Sequence, residues 1–191
     1  MATKTKAIKM LLYDGSLNGV TNISDSAWEL GKMYSAPRDS IGDLVSRADC
    51  RRYGVYLLLS EQQVYVGQAI DLERRTKQHL ADKDWWTQVV LMTTKDDSFN
   101  ASDIDYLESR LIDLAGKAGK SDSDNKKRGN PQKVDLYEPA QEAPASFALS
   151  FQLATNCHSK PAERDGFRTC LKNGICAGDT ILNEGANLTK N

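Results

Sequence analysis

Two short β-rich runs, GVYLLL (54–59) and QVYVGQ (63–68), flank the polar break Ser60-Glu61-Gln62. Their alternating pattern of β-branched and aromatic residues predicts an antiparallel hairpin around Glu61-Gln62. This feature limits the fold more tightly than any other, because pairing parity decides which side chains share a face. With Leu59 opposite Val64, Leu58 faces Tyr65 and Tyr56 faces Gly67. The two phenols then emerge on one face as diagonal neighbours, and a one-residue slip would part them. Gly67 leaves open space beside Tyr56, so the phenols and the bare patch form the floor of a pocket. Most tyrosine pairs on sheets simply pack, and the hairpin alone argues for nothing more.

The segments that follow add polar groups where a core would exclude them. DLERRTKQHLAD predicts a short amphipathic helix with Asp71 as its N-cap. Arg75 and His79 are four apart on one face of it, with Leu72 on the same stripe. An apolar stripe holding an arginine and a histidine needs polar partners for both. WWTQVVLMTT reads as a third strand. NASDIDYLESRLIDLAGKAG predicts the strongest helix of the chain, with Ile104, Leu107, Leu111, Leu114 and Ala118 at three- and four-residue spacing and Gly119 as its stop. Glu108 sits on or beside that stripe. An Arg75–Glu108 ion pair or a solvated edge would explain either residue alone. Two phenols, an arginine, a histidine and a carboxylate from a hairpin and two helices make a set.

Upstream, AIKMLLYDGSLNGVTNI reads as a strand pair, with turn signals at Asp14-Gly15 and Asn18-Gly19. SDSAWELGKMYSA reads as a short helix capped by Ser24 or Ser26, and DSIGDLVSRADC as another. The expected division is an N-terminal extension over 1–50, a central unit over 51–118, a polar, proline-bearing linker over 119–146, and a short C-terminal region of unclear fold over 147–191.

The chain has 191 residues, 40% hydrophobic and 27% charged, enough for a core that needs no metal or disulfide. The apolar run after the basic first residues is too short for a signal peptide, and no stretch approaches a membrane span. The reading is a cytoplasmic protein whose four cysteines are reduced thiols. Cys157, His158, Cys170 and Cys176 lack the C-x₂-C spacing of a zinc site. A net charge of −1 argues mildly against coating nucleic acid by bulk electrostatics. Local basic surfaces remain at Arg74, Arg75 and Lys77 and at Lys126, Lys127 and Arg128. The latter cluster either tracks a phosphate backbone or is a solvated loop. Of Trp85 and Trp86, one is expected to close a core; Trp86 is also a candidate for stacking on bases.

The triplets GVY and YVG, then Arg75 and His79 in RTKQH, then Glu108 on a later helix, resemble the GIY-YIG nuclease domain over roughly residues 50–118. WWTQVVLMTTKDD and YLESRLIDLA are similar to a bacterial branch whose members carry an N-terminal extension. The resemblance implies an α+β fold, a small three-stranded antiparallel sheet flanked by helices, with an N-terminal β/α extension and a short C-terminal region. It implies hydrolysis of nucleic-acid phosphodiesters, DNA before RNA, with one divalent cation, Mg²⁺ or Mn²⁺. By the same resemblance, Glu108 would hold the metal, Arg75 would contact the scissile phosphate, and Tyr56 would activate the attacking water, assisted by Tyr65 and His79. Gly67, Lys77, Trp86, Lys126, Lys127 and Arg128 are further candidates for nucleic-acid contact. An asparagine after the catalytic helix helps order such sites, and here both Asn125 and Asn130 qualify. The residue types suit the chemistry, since a hard dication takes oxygen ligands while an arginine fork and a metal offset charge on the phosphorane. The alternative is a catalytically idle nucleic-acid-binding or regulatory module on the same scaffold.

Overall fold

The computed structural model describes residues 7–26, 28–118 and 122–125. Along the chain run strands β1 (Ile8–Leu12), β2 (Thr21–Asp25) and β3 (Trp28–Pro37), and then the short helix α1 (Ile41–Val45). Strands β4 (Gly54–Leu59) and β5 (Gln63–Ala69), helix α2 (Leu72–Asp82), strand β6 (Gln88–Thr94), helix α3 (Ala101–Ala118) and strand β7 (Asp122–Ser123) follow. The C-terminal region, the Lys126-Lys127-Arg128 cluster, Asn130, Cys157, His158, Cys170 and Cys176 lie outside the described residues.

The hairpin has the expected register: Leu59 pairs with Val64, Leu58 with Tyr65 and Tyr56 with Gly67. Its turn is tied by Ser60, whose hydroxyl accepts from the backbone N–H of Gln62 at 3.3 Å and of Gln63 at 3.0 Å. Strand β6 pairs antiparallel with β4, which completes three strands. The sheet, however, has seven, in the order β1-β2-β3-β6-β4-β5-β7. This corrects the small three-stranded sheet. Strand β3 continues it across β6 over seven residue pairs, from Gly31 opposite Thr94 to Pro37 opposite Gln88.

Strand β3 also replaces the short helix expected over 24–36. The cap residues Ser24 and Ser26, which suggested a helix, were outweighed by pairing on both edges, with β2 and with β6. The pairing of β2 and β3 shifts register between Ile23 and Asp25, and the buried Trp28 ring lies over the backbone of Gly31, where a Cβ would lie 2.0 Å from the ring. Strand β7 falls within the expected linker and runs parallel to β5, with Gln63 opposite Asp122 and Val64 opposite Ser123.

Alternation along β4 and β5 divides the core between the two faces of the sheet. Val55, Leu57, Leu59, Val64 and Val66 pack under α3 with Ile104, Leu107 and Leu111. Tyr56 and Leu58 pack on the other face with Leu72 of α2, Leu44 of α1 and Trp86. Each such leucine removed from water contributes about 2 kcal/mol. Asp71 caps α2 by accepting from the Arg74 N–H at 2.9 Å. Asn100 and Asp103 exchange side-chain-to-backbone bonds at the start of α3: Asp103 N–H donates to Asn100 Oδ1 at 3.2 Å and Asn100 N–H to Asp103 Oδ2 at 3.0 Å. Among the described residues, no helix is long and apolar enough to cross a membrane.

Candidate active site

The site is built around Tyr56. Its position on β4 directs the phenol across Gly67 of the neighbouring strand, and the side chain is fully buried. A Cβ on Gly67 would lie 2.4 Å from both Cζ and Oη of Tyr56. The space expected above Gly67 is therefore occupied by the tyrosine ring itself, and Gly67 contributes a seat for it. Helix α2 brings two side chains to the hydroxyl, one turn apart on the face toward the sheet. Arg75 Nε donates to Tyr56 Oη at 3.3 Å, and His79 Nε2 lies 2.7 Å from the same oxygen. Tyr65 completes an aromatic cluster, its ring centroid 6.1 Å from that of Tyr56 and 5.4 Å from that of His79.

This environment shifts the titrating groups. Burial drives the Tyr56 phenol above its ordinary pKa, helped by the neighbouring Tyr65 and opposed by Arg75. Burial, with the positive charges of Arg75 and Lys83, pushes His79 down to about 4, so its imidazole is neutral at physiological pH. His79 is 3% exposed, and its Nδ1 is buried with no hydrogen-bond partner.

Glu108 lies on α3, on the sheet face opposite α2, and reaches the same region at the edge of β5. The outer edge of that strand is covered in steps. Val64 C=O accepts from the Asp124 N–H at 2.9 Å. Asn125 then clasps Val66, accepting its N–H on Oδ1 at 2.9 Å and donating from Nδ2 to its C=O at 2.6 Å. Two residues further on, the Gln68 side-chain amide donates to Glu108 Oε2 at 3.1 Å and to Asp105 Oδ1 at 2.8 Å. Burial raises the Glu108 pKa above the usual carboxylate value; Gln68 opposes the shift and Asp105 adds to it. Successive residues of β5 thus carry the two halves of the site, Gly67 under the phenol and Gln68 against the carboxylate.

Of the expected set, Tyr56, Tyr65, Arg75 and His79 form one contact cluster, and Glu108 stands around the strand edge from it. Asn125 is the asparagine that ties β5. Lys77 is exposed and pairs with Glu73 on its own helix. Trp86 is corrected: it is fully buried, with the Arg38 guanidinium 4.3 Å from its ring centroid and its Nε1 donating to the His79 carbonyl at 3.4 Å, so it has no face for a base. Three further residues border the site. Gln68 directly follows the glycine of the second triplet, and Asp105 precedes Glu108 by one helical turn. Lys83, four residues after His79, lies 4.6 Å over the Tyr65 ring and pairs with Asp124. Spacing alone was signal enough for Asp105 and Lys83.

Among the described residues, no group of three or more His, Cys, Asp or Glu side chains stands together as a metal site. The oxygen donors near the β5 edge are carboxylates, and a hard dication that keeps most of its waters needs few of them. Burial and Asp105 disfavour an ionised Glu108, and its carboxylate oxygens are of the type a hard dication such as Mg²⁺ or Mn²⁺ takes.

Residues 52–121 match the family model of the GIY-YIG catalytic domain, just over a third of the chain. No curated protein and no solved structure matches the chain. Both tyrosines, the arginine, the histidine and the glutamate fall inside the matched span, and the match supports membership of the GIY-YIG nuclease superfamily for residues 52–121.

Proposed function

We propose that this protein is a divalent-metal-dependent endonuclease that hydrolyses phosphodiester bonds of DNA in the cytoplasm. The observation that carries the reading is the Tyr56 hydroxyl held between Arg75 Nε at 3.3 Å and His79 Nε2 at 2.7 Å. A phenol used only for packing does not need a guanidinium and an imidazole on one oxygen.

The site suggests how the phenol is held. The neutral His79 imidazole shares a hydrogen bond with the Tyr56 hydroxyl through Nε2 at 2.7 Å, and Arg75 Nε donates to the same oxygen. The burial that lowers the His79 pKa makes it a weak base, and the raised phenol pKa disfavours a free phenolate, so this reading gives Tyr56 and His79 the task of orienting and polarising the attacking water. Arg75 faces the same oxygen and is placed to hold a non-bridging phosphate oxygen during attack. Tyr65 buttresses the Tyr56 and His79 rings. Glu108 would hold the Mg²⁺ or Mn²⁺, which supplies Lewis-acid stabilisation of the charged phosphate when bound.

A second reading, a catalytically idle nucleic-acid-binding module, draws on the complete burial of Tyr56, whose hydroxyl water must reach before it reacts. The deciding experiment offers supercoiled, branched and single-stranded DNA to wild type and Glu108→Ala, with Mn²⁺ or EDTA. Metal-dependent cutting by wild type that is lost in the variant supports the nuclease. Binding without cutting in both Mg²⁺ and Mn²⁺ transfers support to the idle module.

A further inference from the structure

Glu108 does not stand alone at the strand edge. Gln68 Nε2 carries two hydrogens, and the structure gives each an acceptor: Asp105 Oδ1 at 2.8 Å and Glu108 Oε2 at 3.1 Å. Turning the amide over would place its oxygen against two carboxylate oxygens, so the acceptors select a single orientation. Asp105 and Glu108 are three apart on α3 and therefore face the same way. Edge groups alternate along β5, and those of Val64 and Val66 are taken by Asp124 and Asn125. Gln68 comes next on that edge, where a carboxylate stands in place of a further strand partner.

We propose that Asp105 and Gln68 are positioning residues: Asp105 anchors the Gln68 amide, and the anchored amide holds one oxygen of Glu108, leaving the other to face the open edge. Asp105 acts here as a hydrogen-bond acceptor and does not itself bind the cation. This inference rests on the endonuclease reading for its purpose, while the anchor itself is a structural claim that stands or falls separately. An outer carboxylate that orients a ligating group through hydrogen bonds is a recurrent way of tuning metal affinity.

The experiment has two readouts on the full-length protein. The first is the Gln68 side-chain amide signal in a ¹H–¹⁵N spectrum without metal. In wild type it should show two separated, slowly exchanging protons. In Asp105→Ala it should collapse toward free-glutamine shifts. In Asp105→Asn, whose side-chain oxygen still accepts, it should remain. The second readout is Mn²⁺ binding followed by electron paramagnetic resonance, with no nucleic acid present. Gln68→Ala and Asp105→Ala should weaken binding about tenfold, the low end of what such outer contacts contribute, and Asp105→Asn should restore it. If Asp105→Asn weakens Mn²⁺ as much as Asp105→Ala, Asp105 is a ligand and the anchor role is overturned. An amide signal indifferent to Asp105→Ala overturns it as well. If wild type and Glu108→Gln bind Mn²⁺ alike, the metal reading fails, and the amide spectrum still decides the anchor. Alanine at 105 suits a helix, and unchanged α3 amide signals verify that the variant is folded.

Discussion

Gly67→Ala adds one methyl group under the Tyr56 ring. The new Cβ would stand 2.4 Å from Cζ and Oη and 2.9 Å from Cε1. Carbon atoms pack at about 3.5–4.0 Å, so the ring must retreat by roughly 1 Å. It has nowhere free to go, since Tyr56 is fully buried and bordered by the His79 and Tyr65 rings. Overpacking of this kind costs about 1–3 kcal/mol. Displacing Oη from Arg75 and His79 adds about 1 kcal/mol for each weakened hydrogen bond. Alanine in place of glycine in a strand returns about 0.5–1 kcal/mol. The net loss is then about 2–4 kcal/mol, a fall in melting temperature of around 10 °C. On the endonuclease reading, in which Tyr56 Oη meets the attacking water, cleavage should fall about 100-fold. Calorimetry and a plasmid-nicking assay read the two effects. Combining Gly67→Ala with Tyr56→Leu should cost less than the sum of the two, because the clash disappears with the ring. A variant that melts within about 2 °C of wild type and cuts at the same rate would refute the seating of Tyr56 on Gly67.

The low pKa of His79 has a defined consequence for stability. Between about 4 and its ordinary 6.5 the unfolded chain binds a proton that the folded chain refuses. The stabilisation is therefore complete above pH 6.5 and is lost as pH falls toward 4. At about 1.4 kcal/mol per unit the total is on the order of 3 kcal/mol. Urea titrations at several pH values should show this loss in wild type and its absence in His79→Gln; parallel profiles would contradict it. Asn125→Ala should remove both bonds to Val66, cost about 1–2 kcal/mol, and speed hydrogen exchange of the Val66 amide at least tenfold. Unchanged exchange at Val66 would mean that Asn125 does not hold the strand edge.

What was legible in the sequence followed local rules. The hairpin register could be read because two glycines and two tyrosines obey a period of two, and the α2 start because Asp71 supplies a cap. The members of the candidate set were named from residue type, order and the family resemblance. Their arrangement across the sheet did not, since no local pattern tells which face a helix will cover. Glu108 consequently belongs to the face opposite Tyr56 and joins it only by way of the β5 edge. Strand β3 shows the reverse: a serine cap suggested a helix, but pairing on two edges outweighed it. Gly31 makes room there for the Trp28 ring. Gln68 lies inside QVYVGQ without a local signal of its role, because a glutamine at a strand end has meaning only once its acceptors are in place.

Strand β6 lies inside the sheet, with β4 on one side and β3 on the other. The matched family span begins at residue 52 and so includes β6 while leaving out the strand that covers half of its backbone. A fragment trimmed to that span would present a seven-residue interior strand as a bare edge, the kind of surface that recruits other chains. Val89, Leu91 and Met92 would lose cover at the same time. The limits of the family match and the limits of the piece that keeps its sheet covered therefore differ here, and anyone shortening this protein, or grafting the matched domain onto another, should carry the first three strands along.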